Sequence, residues 1–251
     1  MLLDFNTLIF GLTAFVGGLI AVPVGGSFLL IVPIFLLMGL NGLETLLLSR
    51  LAIAAAMTSG STYFFTKHRT EISPRVIGLF LAGNLIGYLL AAKFVTTINV
   101  EILTTFLPWI LLIGAIFLVS DLKLNFKVPE NLIPKILPLL GLLIGFYAGI
   151  GGAPSTLILL LFSLLFTWPF RKVIVNTRLV EFCGNLVAVG AYLYFGATCT
   201  NYEIPVIIAS LLGGLIGAHI VFKTKPTWLK KAFLILVLLT ALKNTWEWLG
   251  F

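Results

Sequence analysis

The chain has 251 residues, of which 60% are hydrophobic and 10% are charged. A water-exposed globular domain carries about a quarter of its residues as charges, so water is excluded as the main solvent of this surface. The net charge of +7 does not imply nucleic acid, because the basic residues sit in short interruptions between apolar runs instead of clustering with exposed aromatics.

In chain order, the predicted helical segments are Phe5 to Val22, Ser27 to Leu40, Glu44 to Thr66, Pro74 to Phe94 and Val100 to Val119. A second set follows as Ile136 to Ile150, Ser155 to Phe166, Val173 to Phe195, Ile204 to Phe222 and Leu229 to Leu249. The first segment reads as retained, because Asp4 and Asn6 stand where a secretory leader would carry Lys or Arg. Between the sets, the polar stretch 121–135, with Lys123, Lys127, Pro129, Glu130 and Pro134, is too short for a domain and reads as a cytoplasmic linker. The predicted organisation is therefore a first transmembrane repeat over 1–120 and a second over 136–251. Cys183 and Cys199 match no metal or disulfide spacing and read as small core residues.

The two sets resemble each other. Gly25-Gly26-Ser27 recurs as Gly151-Gly152 and Ser155, Arg50 as Arg178, and Gly83, Gly87 and Lys93 as Gly213, Gly217 and Lys223. The offset drifts from about 126 to about 130, the signature of an internal duplication with small loop insertions. Basic residues distinguish the orientation of the copies. Lys67, His68, Arg69 and Arg75 follow the third segment, whereas the counterpart loop from Gly196 to Glu203 holds no Lys or Arg. One loop later the pattern reverses, with Lys223, Lys225, Lys230 and Lys231 opposite a first-half loop, Val95 to Val100, that has none. Placing basic loops, including Arg171 and Lys172, in the cytoplasm predicts oppositely inserted halves.

Ser27 to Leu40 and Ser155 to Phe166 are too short to span, so each is expected to form a broken hairpin with its predecessor at a Gly-rich break, leaving three spanning helices per half. Ten short crossings would preserve the same orientation. The expected fold is thus an all-α polytopic membrane protein of two inverted-topology repeats.

Exposed backbone at membrane depth needs protein or water around it, so the breaks Ala21 to Ser27 and Gly149 to Ser155 are expected to line a cavity. The helices starting at Ser27 and Pro154 would present free N–H groups to an anion; glycine-lined kinks serving helix packing are the alternative. Arg50 and Arg178 lie inside apolar segments, where a guanidinium either grips an oxyanion or snorkels to the interface. Glu181, at i+3 from Arg178, is placed for an ion pair or for carrying a coupling proton. Asn176, Thr177, Asn185, Thr58, Ser59 and Ser61 could line a path or bond between helices, and the Gly83/Gly87 and Gly213/Gly217 pairs suit close packing. Solvation is expected for His68, and His219 lies near a segment end beside Lys223. Trp109, Trp168, Trp228, Trp246 and Trp248 lie mostly near segment ends and read as interfacial anchors.

The stretch Gly25-Gly26-Ser27-Phe28-Leu29-Leu30-Ile31-Val32-Pro33, its looser echo from Gly149 to Leu160, and the turn Lys67-His68-Arg69 with Glu71-Ile72 resemble the TauE/SafE family of sulfite exporters over nearly the whole chain. The resemblance implies export of sulfite or an organosulfur anion such as a sulfonate, with the breaks and the polar residues downstream forming the site. Asn176-Thr177-Arg178 fits the family pattern, and Leu48-Ser49-Arg50 departs from it at Leu48.

The resulting expectation is a secondary transporter in the cytoplasmic membrane, with an anion held by Gly25, Gly26, Ser27, Arg50, Gly151, Gly152, Ser155, Asn176, Thr177 and Arg178. A passive anion channel, or a carrier of another anion such as a carboxylate, is the alternative. No enzymatic constellation, metal, cofactor or nucleic-acid partner is expected, and no ATP-binding loop is present. Lipid and a small anion are the expected partners, with a homodimer left open.

Overall fold

A computed structural model describes residues 5–23, 25–119, 129, 131–220 and 227–249. Val24, most of the 121–135 linker, Lys223 and Lys225 lie outside the described residues, as do the side chains of Trp228, Lys230 and Lys231. Ten α-helices are present among the described residues: α1 Phe5–Ala21, α2 Phe28–Leu37, α3 Gly42–Lys67, α4 Pro74–Thr97, α5 Val100–Val119, α6 Ile133–Gly149, α7 Pro154–Leu165, α8 Phe170–Tyr194, α9 Glu203–Ile220 and α10 Thr227–Trp248. Each falls on one of the ten apolar segments.

Local chemistry explains several of the helix ends. Asn41 caps α3 by accepting from Glu44 N at 3.0 Å, while Glu44 Oε2 accepts from Asn41 N at 3.2 Å. Pro74 and Pro154 start α4 and α7 at positions where the missing N–H has no cost.

The molecule is apolar outside as well as inside. Phe5, Leu139, Ile208, Ile116 and Leu143 are largely exposed, while Arg50, Arg178, Asn176, Asn185 and Glu181 are buried. That distribution suits hydrocarbon as the surrounding medium and concentrates polar groups where protein can satisfy them. Among the described residues α4, α8 and α9 are both long and apolar enough to cross a membrane. Helix α3 has 26 residues, yet its buried face carries Thr45, Ser49, Arg50, Ser59 and Ser61, which lowers its hydropathy.

Glycines set the packing. A Cβ on Gly83 or Gly87 in α4 would strike the α6 backbone at Pro138 and Leu142, and one on Gly141 or Gly145 would strike α4 at Phe80 and Asn84. Rising residue numbers meet rising ones, so α4 and α6 run in the same direction. Helices α1 and α9 repeat this arrangement, Gly213 abutting Phe15 and Gly217 abutting Leu19. Such close approaches are how small residues bring helix backbones together.

Helix α8 runs opposite to α3. Arg50, early in α3, reaches Asn185 late in α8, whereas the turn after α3 reaches Asn176 early in α8. Helix α5 packs on α10, where Trp109 Nε1 donates to Thr245 Oγ1 at 2.9 Å. Trp109 therefore sits in the middle of α5 as a tie between helices; its expected place at a segment end is corrected by this contact.

Candidate functional site

The two breaks and the two arginine helices meet at the centre of the fold. Between α1 and α2, Gly25 and Gly26 adopt φ values of 74° and 71°, a left-handed region that favours glycine; between α6 and α7, Gly151 has φ 110°. Gly25 also needs its missing side chain, because a Cβ there would lie 2.8 Å from Arg178 Nη2 and 2.9 Å from both Arg178 Nη1 and Ser155 Cβ. Gly26 is buried beside it; Gly151 packs against Leu107 and Leu46, and Gly152 against the Tyr147 ring.

Each arginine reaches the break of the other half. Arg178 Nε donates to Val22 O at 2.9 Å, at the end of α1, and Arg50 Nη2 donates to Ala148 O, near the end of α6. Val22 and Ala148 stand at the same spacing as Gly25 and Gly151, so the two contacts are counterparts. The terminal carbonyls of a helix have no partner within it, and a guanidinium is a strong one at the negative end of the dipole. Arg50 further donates through Nη1 to Asn185 Oδ1 at 3.0 Å and lies 3.5 Å from Gly152 O. Its guanidinium carbon stands 4.1 Å from the Phe28 ring centroid and 5.5 Å from that of Tyr88.

With exposures of 1% and 0%, Arg50 and Arg178 do not snorkel. Burial and carbonyl contacts overturn that alternative: both heads turn inward, where partners offset the cost of leaving water. Arg178 Nη1 forms an ion pair with Glu181 Oε2, as the i+3 spacing predicts, and Glu181 Oε1 accepts a hydrogen bond from Ser155 Oγ. Asn185 Nδ2 donates to Glu181 O at 2.7 Å. Arg178 Nη2 and Arg50 Nε are buried without a hydrogen-bond partner, which leaves a donor on each guanidinium open.

Ser27, Phe28, Arg50, Ile53, Met57, Pro154, Ser155, Glu181 and Asn185 enclose a cavity of about 10 Å³, room for roughly one water. Arg178 is one residue removed from this lining, bonded to Glu181. The first turns of α2 and α7 both face the cavity, and neither is capped by a side chain. The site thus joins two helix N-termini, the Arg50 guanidinium and the Glu181 carboxylate around a volume too small for an oxyanion, with Arg178 bonded behind Glu181.

Not every residue expected at the site arrives there. Asn176 holds the turn after α3, accepting from Ser73 N at 2.8 Å and donating to Glu71 O at 2.8 Å and Lys172 O at 2.7 Å. Thr177 is buried with its hydroxyl unpartnered and is not among the lining residues. Ser59 donates to Leu211 O at 3.0 Å and ties α3 to α9. Conversely, Phe28, Ile53 and Met57 line the cavity without having been named as candidate site residues from sequence. Ile53 and Met57 stand at the Arg50-to-Arg178 spacing from Glu181 and Asn185, so comparing the two halves position by position would have found them.

Apolar helices that bury Arg50, Arg178 and Glu181 among themselves mark a membrane protein. The profile of the family described as Sulfite exporter TauE/SafE matches residues 10–244, and the chain belongs to that family. It is similar to a probable membrane transporter protein ORF9 from Sinorhizobium sp, 27% identical over 211 residues, covering 82% of this chain and 79% of the relative. A probable membrane transporter protein from Haemophilus influenzae is 24% identical over 238 residues, covering 93% of this chain and 92% of that protein. No solved structure matches.

Proposed function

We propose that this TauE/SafE membrane transporter moves a small anion, sulfite or an organosulfur anion such as a sulfonate, across the cytoplasmic membrane by alternating access. The observation that carries the reading is the shared cavity: two uncapped helix starts, at Ser27 and Pro154, face it together with Arg50, and Arg178 stands behind Glu181. Helix N-termini and guanidinia are the groups that hold an oxyanion out of water. Gly25, Gly26, Gly151 and Gly152 let backbone approach the anion, Ser27 and Ser155 supply hydroxyls, and Glu181 is the group to carry a coupling proton. Asn176, two residues before Arg178 in α8, ties that helix to the turn after α3.

The inverted repeat is part of this proposal, with residues 1–120 and 136–251 as the two units. Its support is the pattern of contacts: α1 lies parallel to α9 as α6 lies parallel to α4, and α3 meets α9 as α8 meets α4. Exchanging the halves maps each pair onto the other. The turn at His68 and the turn at Thr200 lie at opposite ends of α8, as oppositely inserted units require. Broken hairpins meeting at the midplane are then the elements that rock. A cavity this small favours a carrier over an open pore, which would need a continuous wet path.

The test is flux of sulfite and of methanesulfonate into proteoliposomes. Saturable transport that disappears in folded Arg50→Ala and Arg178→Ala is expected. Unchanged transport in both variants would remove the arginines from the mechanism, and flux that never saturates would replace the carrier with a channel.

A further inference from the structure

The cavity is asymmetric within a frame that is otherwise matched. Where the second half places Glu181 and Asn185, the first half places Ile53 and Met57 at the corresponding positions, and all four line the same space. From one half Phe28, Ile53 and Met57 form an apolar patch beside Ser27 and Arg50; from the other, Ser155, Glu181 and Asn185 form a polar wall beside Pro154. The ionisable groups of the site are Arg50 from α3 and Arg178 with Glu181 from α8. Two guanidinia against one carboxylate leave a single positive charge.

We infer that Glu181 sets the valence of the anion this site accepts: a monovalent oxyanion with a small apolar substituent binds directly, and a divalent anion binds only together with a proton on Glu181. This rests on the anion-site reading above. The head of the anion takes the open donors of Arg178 and Arg50, and its substituent lies against Phe28, Ile53 and Met57. A dianion brings one negative charge more than the site balances, and among buried groups that excess is only weakly screened. Protonating the Glu181 carboxyl removes its charge, with the proton drawn from the aqueous side open at that moment.

The groups that face Glu181 bear on this protonation. Arg178 lies on its own helix and Arg50 on α3, while Tyr88 of α4 and Tyr192 of α8 are the nearby titratable hydroxyls. Helix α7 contributes only the Ser155 hydroxyl, and α2 contributes Phe28. Of the three charged groups at the site, Glu181 is the carboxylate, the one whose charge a bound proton removes.

Ligand-dependent thermal stabilisation of the purified full chain tests this, with methanesulfonate as the monovalent probe and sulfate as the divalent one, at pH 7.5 and pH 5.5. Wild type is expected to bind methanesulfonate at least about tenfold more tightly than sulfate at the higher pH, with the gap narrowing at the lower. Glu181→Gln is expected to bind sulfate at both. Because that variant strips a buried guanidinium of its partner and can unfold, the wild-type comparison and Glu181→Asp, which keeps the charge and the preference, carry the test without it. Equal wild-type affinity for the two probes at pH 7.5, or a folded Glu181→Gln with unchanged preference, overturns the valence role while leaving the anion site standing. Binding of neither probe overturns both.

Discussion

The contact between Gly25 and Arg178 can be weighed against a control within the same molecule. Gly25 and Gly39 both sit at positive φ, 74° and 92°, but a Cβ on Gly39 meets nothing within 4 Å while one on Gly25 meets both Arg178 Nη atoms. Gly39→Ala should therefore cost only the left-handed strain, about 1–2 kcal/mol. Gly25→Ala incurs the same strain and also pushes the guanidinium from its place. That loosens the 2.9 Å bond from Nε to Val22 O, and hydrogen bonds to charged groups are worth about 1.5–3 kcal/mol. The expected sum is about 2.5–5 kcal/mol. Reversible unfolding of both variants in one detergent measures the difference, and flux in proteoliposomes shows whether the displaced Arg178 is needed: Gly39→Ala should keep transport and Gly25→Ala should lose it. Equal destabilisation together with equal flux would refute the idea that Gly25 is there to make room for the guanidinium.

Two further outcomes follow from the geometry. Gly87→Ala in α4 should destabilise by about 1–3 kcal/mol through overpacking against α6, whereas Gly78→Ala in the same helix, with open space at its Cβ, should be neutral or gain up to about 1 kcal/mol; similar melting shifts for the pair would contradict glycine-mediated packing. Burial lowers the His68 imidazole below its ordinary 6.5, with the Arg171 charge adding to the effect and Glu71 opposing it. The native state then binds fewer protons than the unfolded chain, so this contribution to stability is complete above pH 6.5 and lost as pH falls through the lowered value. An NMR titration of His68 should give a midpoint under 6.5; one at or above it refutes the assignment.

Ten apolar runs were enough to locate ten helices, because in lipid each apolar stretch must satisfy its own backbone. Their ends were less legible. Helix α3 starts at Gly42, two residues before the apolar signal, because the Asn41–Glu44 box is a matter of local capping and not of hydropathy. The ion pair of Arg178 with Glu181 could be read from spacing on one helix. The bonds from Arg50 to Ala148 and Asn185 could not, since they join residues 98 and 135 positions apart and depend on how α3 meets α6 and α8. Asn176 shows the same limit: a small amide near an arginine suggests a substrate path, but the fold brings the turn after α3 onto it. The apolar wall of the cavity was hidden for a different reason, because Phe28, Ile53 and Met57 are unremarkable in a chain that is 60% hydrophobic until a polar counterpart faces them.

The reciprocal reach of Arg50 and Arg178 has a consequence for how such a chain can be divided. Severed in the linker, the amino-terminal piece would keep Val22 O without its cation and Arg50 without its carbonyl, and the carboxy-terminal piece would inherit the complementary deficits. Neither fragment could settle in a bilayer by itself, yet together they would restore every missing contact. Co-expressed fragments should therefore reassemble where solitary ones are degraded.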